Sequence, residues 1–273
     1  MAFEENEQAL VPQQSALIEV AKSREIQEVQ GAIVSAKKFP RDTNQAYLKI
    51  IEACKRPSLA QVATYSYPKA GATVSGPSIR LAEVLAQNYG NISFGVKELE
   101  RRNGSSLAQS YCWDIENNVR QEKTFEVPHT VGTKKGPKVL TDPRDIYEIV
   151  ANLGARRLRA CILGIIPGDI VEAAVNQCRE TLKKGGGEPI SDRIRKMVAA
   201  FQLLGVNQDM IERRLGHGVD LTTADEIVDL QGIHNAIRDK QASRDEFFDF
   251  KEEREQDQSA KNLTEMFKAK AAT

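Results

Sequence analysis

The sequence predicts an α+β fold: a small antiparallel β-meander flanked by helices, followed by a C-terminal helical module. Three observations carry this expectation. Apolar residues alternate along three consecutive segments between Ile92 and Val127, the period of a half-buried strand. The turns between those segments are Arg102-Asn103-Gly104-Ser105 and Glu116-Asn117-Asn118, and Asn-Gly is a strong hairpin signal. On either side of them, apolar residues recur at the three- and four-residue spacing of amphipathic helices.

Taken in order, residues 1–14 are polar. Ala16 to Phe39 carries Leu17, Val20, Ile26, Val29, Ile33 and Val34, read as a helical pair broken near Gly31 or earlier. Asn44 to Lys55 reads as a helix with Tyr47, Leu48, Ile51 and Cys54 on one side, ended by Pro57. Ala63–Tyr67 and Ala72–Ser75 read as a hairpin turning at Pro68-Lys69-Ala70-Gly71. Gly76-Pro77 opens a core helix from Ser78 to Asn88, closed by Gly90. In the meander, Leu107, Gln109, Tyr111, Trp113 and Ile115 share one face of the middle strand, with Ala108, Ser110, Cys112 and Asp114 on the other. Val119, Gln121, Lys123, Phe125 and Val127 share a face of the third strand. Residues 129–141 read as a Gly/Pro/Lys loop.

The stretch from Asp142 to Gly168 organises the chain. Asp142-Pro143 is a cap followed by a first-turn proline. Ile146, Ile149, Val150 and Leu153 fall on one helical face, then Leu158, Cys161, Ile162 and Ile165 on another, rotated by roughly 120°. A helix kinked at Asn152–Gly154, or two helices meeting there, is expected. Arg156 and Arg159 lie opposite the second stripe and Arg157 flanks it, with no acid between Glu148 and Asp169. Arginine forks suit phosphate oxygens. A solvated basic face, paired with acids from elsewhere, stays open as the alternative.

Ile170 to Leu182 continues as a helix. Lys183-Lys184-Gly185-Gly186-Gly187 reads as a flexible linker. The expected division is therefore a core over residues 1–184, a linker at 185–189, a helical module at 190–250 and a charged tail at 251–273. In the module, Asn207 caps a short helix, and Thr223–Glu226 and Ser243–Glu246 are capping-box patterns. Leu263, Met266 and Phe267 form a small amphipathic hook in the tail.

Formal net charge is zero, so overall charge favours no partner. Its distribution does: Lys134 to Arg159 holds seven Lys/Arg against three Asp/Glu, whereas Asp245 to Asp257 holds seven acids and two bases. A basic centre can hold a polyanion. Cys54, Cys112, Cys161 and Cys178 include no CxxC pair, and the three histidines are scattered. That argues against a zinc site and a disulfide framework, and fits a reducing cytosol. The acidic start MAFEENE is no signal peptide, and no run of 18 apolar residues occurs, so no membrane partner is expected.

Catalytic signatures are missing. No glycine-rich loop ends in Lys-Ser/Thr; no Glu-x-Lys occurs, and Asp249-Phe-Lys251 lies outside the strands; there is no H-E-x-x-H and no G-x-S-x-G. No catalytic residue, metal or cofactor is expected. What remains is basic and aromatic. The candidate nucleic-acid contacts are Arg156, Arg157 and Arg159, with Arg144, Lys134, Lys135, Lys138 and Lys69 beside them. Trp113, Tyr65 and Tyr67 either pack under a helix or offer a stacking surface for bases.

A hairpin, a helix, three antiparallel strands and then a basic helix follow one another here. With that order, the segments VSGPSIRLAEVLAQNYGNISFGVKELE and NLGARRLRACILGIIPGDIVEAAV resemble phage single-strand annealing proteins of the RecT and Red-beta type, and their eukaryotic recombination-mediator relatives. The segment ISDRIRKMVAAFQLLGVNQDMIERRLGHGVDLTTADEIVDLQGIHNAI resembles the C-terminal helical module of many of them. The likeness spans roughly residues 57–250 and rests on element order and general pattern. It implies a non-enzymatic, ATP-independent protein of phage recombination that binds single-stranded DNA and pairs complementary strands as a homo-oligomeric ring or filament. It further implies a phage exonuclease and the host single-strand binding protein as partners, in the cytoplasm of a bacterial host. A non-annealing nucleic-acid binder and a scaffold protein are the competing expectations.

Overall fold

The computed structural model describes residues 7–69, 72–133 and 136–250. The element order begins α1 (Glu7–Lys38), α2 (Thr43–Cys54), α3 (Pro57–Ala60), β1 (Thr64–Lys69), β2 (Ala72–Pro77) and α4 (Ile79–Tyr89). The meander follows as β3 (Ile92–Arg102), β4 (Ser105–Asp114) and β5 (Val119–Pro128). Then come β6 (Thr130–Thr133), β7 (Gly136–Val139), α5 (Pro143–Leu163), α6 (Gly168–Lys184), α7 (Ile190–Leu203), α8 (Gln208–Leu215) and α9 (Ala224–Arg238). The fold is α+β with small antiparallel sheets. It divides into two compact units, neither of them one continuous stretch: Met1–Ile50 with Ala82–Gly168, and Ile51–Leu81 with Asp169–Thr273. No helix among the described residues is long and apolar enough to cross a membrane.

The first unit is built on the sheet β3-β4-β5, antiparallel throughout. Its turns are those expected, with Gly104 and Asn118 at positive φ. The loop expected at 129–141 instead contains the short hairpin β6–β7. Helix α1 runs unbroken through Gly31, where the expected break does not occur; open space surrounds this glycine, so nothing there bends the helix.

Helix α5 lies across one face of the sheet. Asp142 caps it by accepting from the Arg144 amide, and Pro143 occupies the first turn. The expected kink is absent: one helix runs from Pro143 to Leu163. Its buried residues are Ile146, Val150, Gly154, Leu158, Cys161 and Ile162. A row at four-residue spacing drifts by about 40° per step, so the two apolar stripes are one drifting stripe. Gly154 sits in its middle. A Cβ there would lie 2.6 Å from Val96 Cγ1, so only glycine lets the helix settle onto β3 at this depth. The Ser110 hydroxyl donates to the Gly154 carbonyl at 2.9 Å and completes the seat.

The second unit joins the β1–β2 hairpin to helices α6 to α9. Phe201, Val206, Met210, Ile211, Leu230, Ile233, Phe247 and Phe248 form its core. Thr223 and Ser243 make the expected capping boxes, and Asn207 caps α8 by accepting from Met210 N. Asn235 on α9 donates to the carbonyls of Gln61 and Thr64, at 2.7 and 3.0 Å, and Gly232 lets α9 approach Ser66 on β1. Residues 185–187, expected as part of a flexible linker, form a 3-10 turn within this unit, each glycine at positive φ. Arg193 on α7 donates back to the carbonyls of Leu182 and Lys183 across that turn. Glycine-rich composition reports a backbone that needs positive φ; it does not report what packs beside it.

Candidate nucleic-acid interface

The two faces of the β3–β5 sheet differ. On β4, Ser106, Ala108, Ser110, Cys112 and Asp114 are buried, while the alternate residues are half-exposed. The buried set faces α5, where Ala108, Val127 and Val150 cluster with Phe125, Ile149 and Leu153. Trp113 and Tyr111 lie on the other, open face, so they do not pack under α5. Trp113 is half-buried, and its indole N–H donates to Asn118 Oδ1 at 3.2 Å. Tyr111 lies opposite Gly95, with the Lys97 ammonium 5.6 Å and the Arg120 guanidinium 5.7 Å from its ring centroid. Each cation also meets an acid: Lys97 pairs with Glu25 and Arg120 with Glu122. The open face therefore presents aromatics among balanced charges.

The helix side is different. Arg156 is exposed on the outer surface of α5, as its position opposite the apolar stripe requires. Arg157 is half-buried on the flank; its guanidinium lies 4.0 Å from the Phe125 ring centroid and donates to the Leu153 carbonyl at 3.1 Å. Arg159 is half-buried rather than fully displayed. Arg156 and Arg159, three residues apart, share one side of the continuous helix, and Arg157 lies on its flank. Lys123 on β5 points to the α5 side with Phe125, whereas Glu122 and Glu126 point to the open face. Lys123 is a basic position that the alternation of β5 already placed on one face with Phe125, although it is not among the basic residues singled out in the sequence.

The remaining candidates separate. Arg144 is exposed in the first turn of α5, and Lys138 is exposed on β7. Lys134 and Lys135 lie outside the described residues. Tyr65, Tyr67 and Lys69 belong to the second unit. The two tyrosine rings stack at 5.7 Å with 22° between planes, and Tyr65 also packs against the helical core, which occupies part of its surface. Only the backbone of Lys69 is among the described features.

Two polar clusters in the first unit were not legible in the sequence. Arg41 makes a bidentate pair with Asp114 at 2.9 and 3.0 Å, donates to the carbonyls of Tyr89 and Gly90, and lies 3.9 Å from the Tyr89 ring centroid. Burial opposes the Asp114 charge, but hydrogen bonds from Arg41 and Asn117 more than offset it and lower its pKa. In the second cluster the Ser106 hydroxyl donates to Glu98 Oε1 at 2.6 Å, which leaves its oxygen to accept from His129 Nε2 at 2.7 Å. Arg101, and then Ser106, hold Glu98 down at about 2. A serine beside a histidine suggests a nucleophile and base, but the Ser106 proton is committed to a carboxylate, and both Ser106 and His129 are buried. The cluster ties β3 and β4 to the residue after β5.

Comparison with known proteins returns no match among family models, curated proteins or solved structures.

Proposed function

We propose that this chain binds single-stranded DNA and anneals complementary strands without ATP. The observation that carries the reading is how α5 divides its surface. Its apolar stripe is spent on the sheet, Arg156 faces outward, and Arg157 lies over Phe125 near Lys123, on the side of β5 away from its acids. Guanidinium and ammonium groups so placed suit a phosphate backbone, and holding a strand by its phosphates leaves base edges free to meet a complement. Pairing two strands needs no covalent chemistry, in keeping with a sequence that has no phosphate-binding glycine loop. The resemblance to the RecT and Red-beta type adds self-assembly into rings or filaments. It also adds contact with a phage exonuclease or the host single-strand binding protein through the helical module, and action in the cytoplasm of a bacterial host.

The test is the pairing rate of two fluorescently labelled complementary strands, with and without protein and ATP. Acceleration indifferent to ATP is expected. Replacing Arg156 and Lys123 by alanine should lower the slope of log affinity against log salt by roughly 1.4, about 0.7 per lost phosphate contact. The thermal midpoint should barely move, because exposed charges contribute little to stability. Binding without faster pairing would identify a coating protein. Absence of salt-dependent binding would identify a scaffold whose arginines serve subunit contacts.

A further inference from the structure

Phe39 displays an aromatic ring on a backbone that is held from both sides. It follows the last residue of α1 and is 65% exposed. Its amide donates to the Ser35 carbonyl at 2.9 Å, and its own carbonyl accepts from Asn91 Nδ2 at 3.1 Å. Pro40 fixes the next φ, and the Arg41 amide donates to Glu116 Oε2 at 2.9 Å. Exposed apolar residues scattered singly need no explanation. This one stands at the rim of an open cleft of about 580 Å³ within the first unit, a volume typical of ligand sites. One wall comes from α2, with Gln45 and Lys49 one turn apart and both exposed. The other comes from the end of α4, with Gln87 and Asn88. Asn88 Nδ2 donates to the Val84 carbonyl at 2.8 Å, which leaves its Oδ1 to accept. Asp42 also borders the cleft, where its Oδ1 accepts from the Gln45 amide at 3.0 Å. The Lys38 ammonium lies 5.7 Å from the Phe39 ring centroid.

We propose that this cleft takes one nucleobase of a bound single strand, stacked on Phe39. The edge of the base meets the amides of Gln45, Gln87 and Asn88, and its phosphate meets Lys38 and Lys49. The inference rests on the reading of the chain as a single-strand binder, and adds a site for a base to one for phosphates. The chemistry of the cleft matches that ligand part by part. A nucleotide has a flat π-face, an edge of mixed donors and acceptors, and an anion attached to them. Side-chain amides both donate and accept, and the Asp42 carboxylate can accept from an exocyclic amino group. No single base is demanded by such an edge, and stacking is tolerant of sequence. Arg41 is not available to the ligand, because its guanidinium is spent on Asp114 and on the carbonyls of Tyr89 and Gly90. An open cleft lets the sugar-phosphate chain continue on both sides, whereas a free nucleotide would be held by little more than one ring. One base held per protomer anchors the strand and leaves its neighbours free to pair.

The full-length protein is bound to an oligothymidylate carrying one iodouracil, irradiated and digested, and the joined residue is located by mass spectrometry. Free iodo-deoxyuridine monophosphate is irradiated with the protein at the same concentration for comparison. The expected join is at Phe39, from the strand and not from the monophosphate. Phe39→Leu keeps apolar bulk without a ring and should bind the unmodified strand about 5- to 150-fold more weakly, the range of a lost stacking contact. Phe39→Trp should bind at least as tightly as the wild type. Neither variant should change the salt slope, since a stacked base releases no counterion. Neither should shift the thermal midpoint, since the side chain is largely exposed. Joins confined to Tyr111 or Trp113, or an unchanged affinity of Phe39→Leu, would overturn the site and leave strand binding standing. A wild-type protein without salt-dependent strand binding would overturn both. A join to Phe39 from the free monophosphate alone would make the cleft a mononucleotide site and overturn the proposal as well.

Discussion

The covered and open faces of the β3–β5 sheet are made from alternate residues of the same strands, yet they manage polarity by opposite means. On the covered face, polar atoms survive only in fixed geometry: Ser110 on the Gly154 carbonyl, Ser106 between Glu98 and His129, and Asp114 under Arg41. On the open face charges stand in water beside an opposite charge, as in Arg102–Glu100, Arg120–Glu122 and Lys97–Glu25. The difference teaches where a polyanion would be held. A face that neutralises itself pair by pair offers little net field, whereas the α5 side of β5 carries Lys123 with Gln121 and Phe125 and no acid, the side on which the proposed function places the strand.

The largest effect should come from unbalancing the covered face. Arg41→Met strands the Asp114 carboxylate, whose side chain is only 6% exposed. Removing one partner of a buried pair costs about 3–5 kcal/mol, which denaturant titration would read directly. Asp114 and Glu98 both have depressed pKa values in the folded protein. Their contribution is therefore complete above the ordinary carboxylate range and is lost as pH falls through the folded values, for Glu98 between 4.5 and about 2. Acid unfolding of the Arg41→Met protein should lack the Asp114 part of that dependence. An unchanged acid limb and midpoint would mean the pair is not what holds this corner.

A smaller loss is expected from Gly154→Ala, which drives a methyl group into Val96 at about 1–3 kcal/mol. Adding Val96→Ala should recover part of it. If Gly154→Ala is neutral by thermal melting, the close seat of α5 does not depend on the glycine.

The smallest effect belongs to the open face. Tyr111→Ala or Trp113→Ala should cost about 1 kcal/mol or less, the scale of a cross-strand pair. Affinity for single-stranded DNA should stay the same in a fluorescence titration. A large fall in affinity with an unchanged midpoint would reverse the comparison and put the bases on Tyr111 and Trp113.

Much of this arrangement was legible in advance. The strands and their turns, the caps at Asp142, Asn207 and Thr223, and the outward placement of Arg156 all follow from periods and end signals that act within one element. What escaped notice is what pairs residues far apart in sequence. Gly154 contributes no apolar side chain to a stripe, so the position that seats α5 read as a break. Asp114 stands on the buried face of β4, where a carboxylate needs a partner, but nothing in the sequence names Arg41 as that partner. Ser106 and His129 look unremarkable until the turn beyond β5 brings them together. The discontinuous units escaped for the same reason: composition marks a glycine-rich turn at residues 185–187 clearly, and marks the attachment of the β1–β2 hairpin to α9 not at all.

That attachment has a consequence for how the protein comes into being. The hairpin leaves the ribosome early, whereas the helix that receives it, with Gly232 against Ser66, is made more than half the chain later. At roughly 5–20 residues per second the delay is on the order of ten to thirty seconds, far longer than a hairpin or helix needs to form. The first unit is complete once residue 168 has emerged, so birth order favours it as the first to fold. Residues 51–81 must wait as an excursion from it. A message cut short before Ala224 would release a chain whose early hairpin has no helix to receive it.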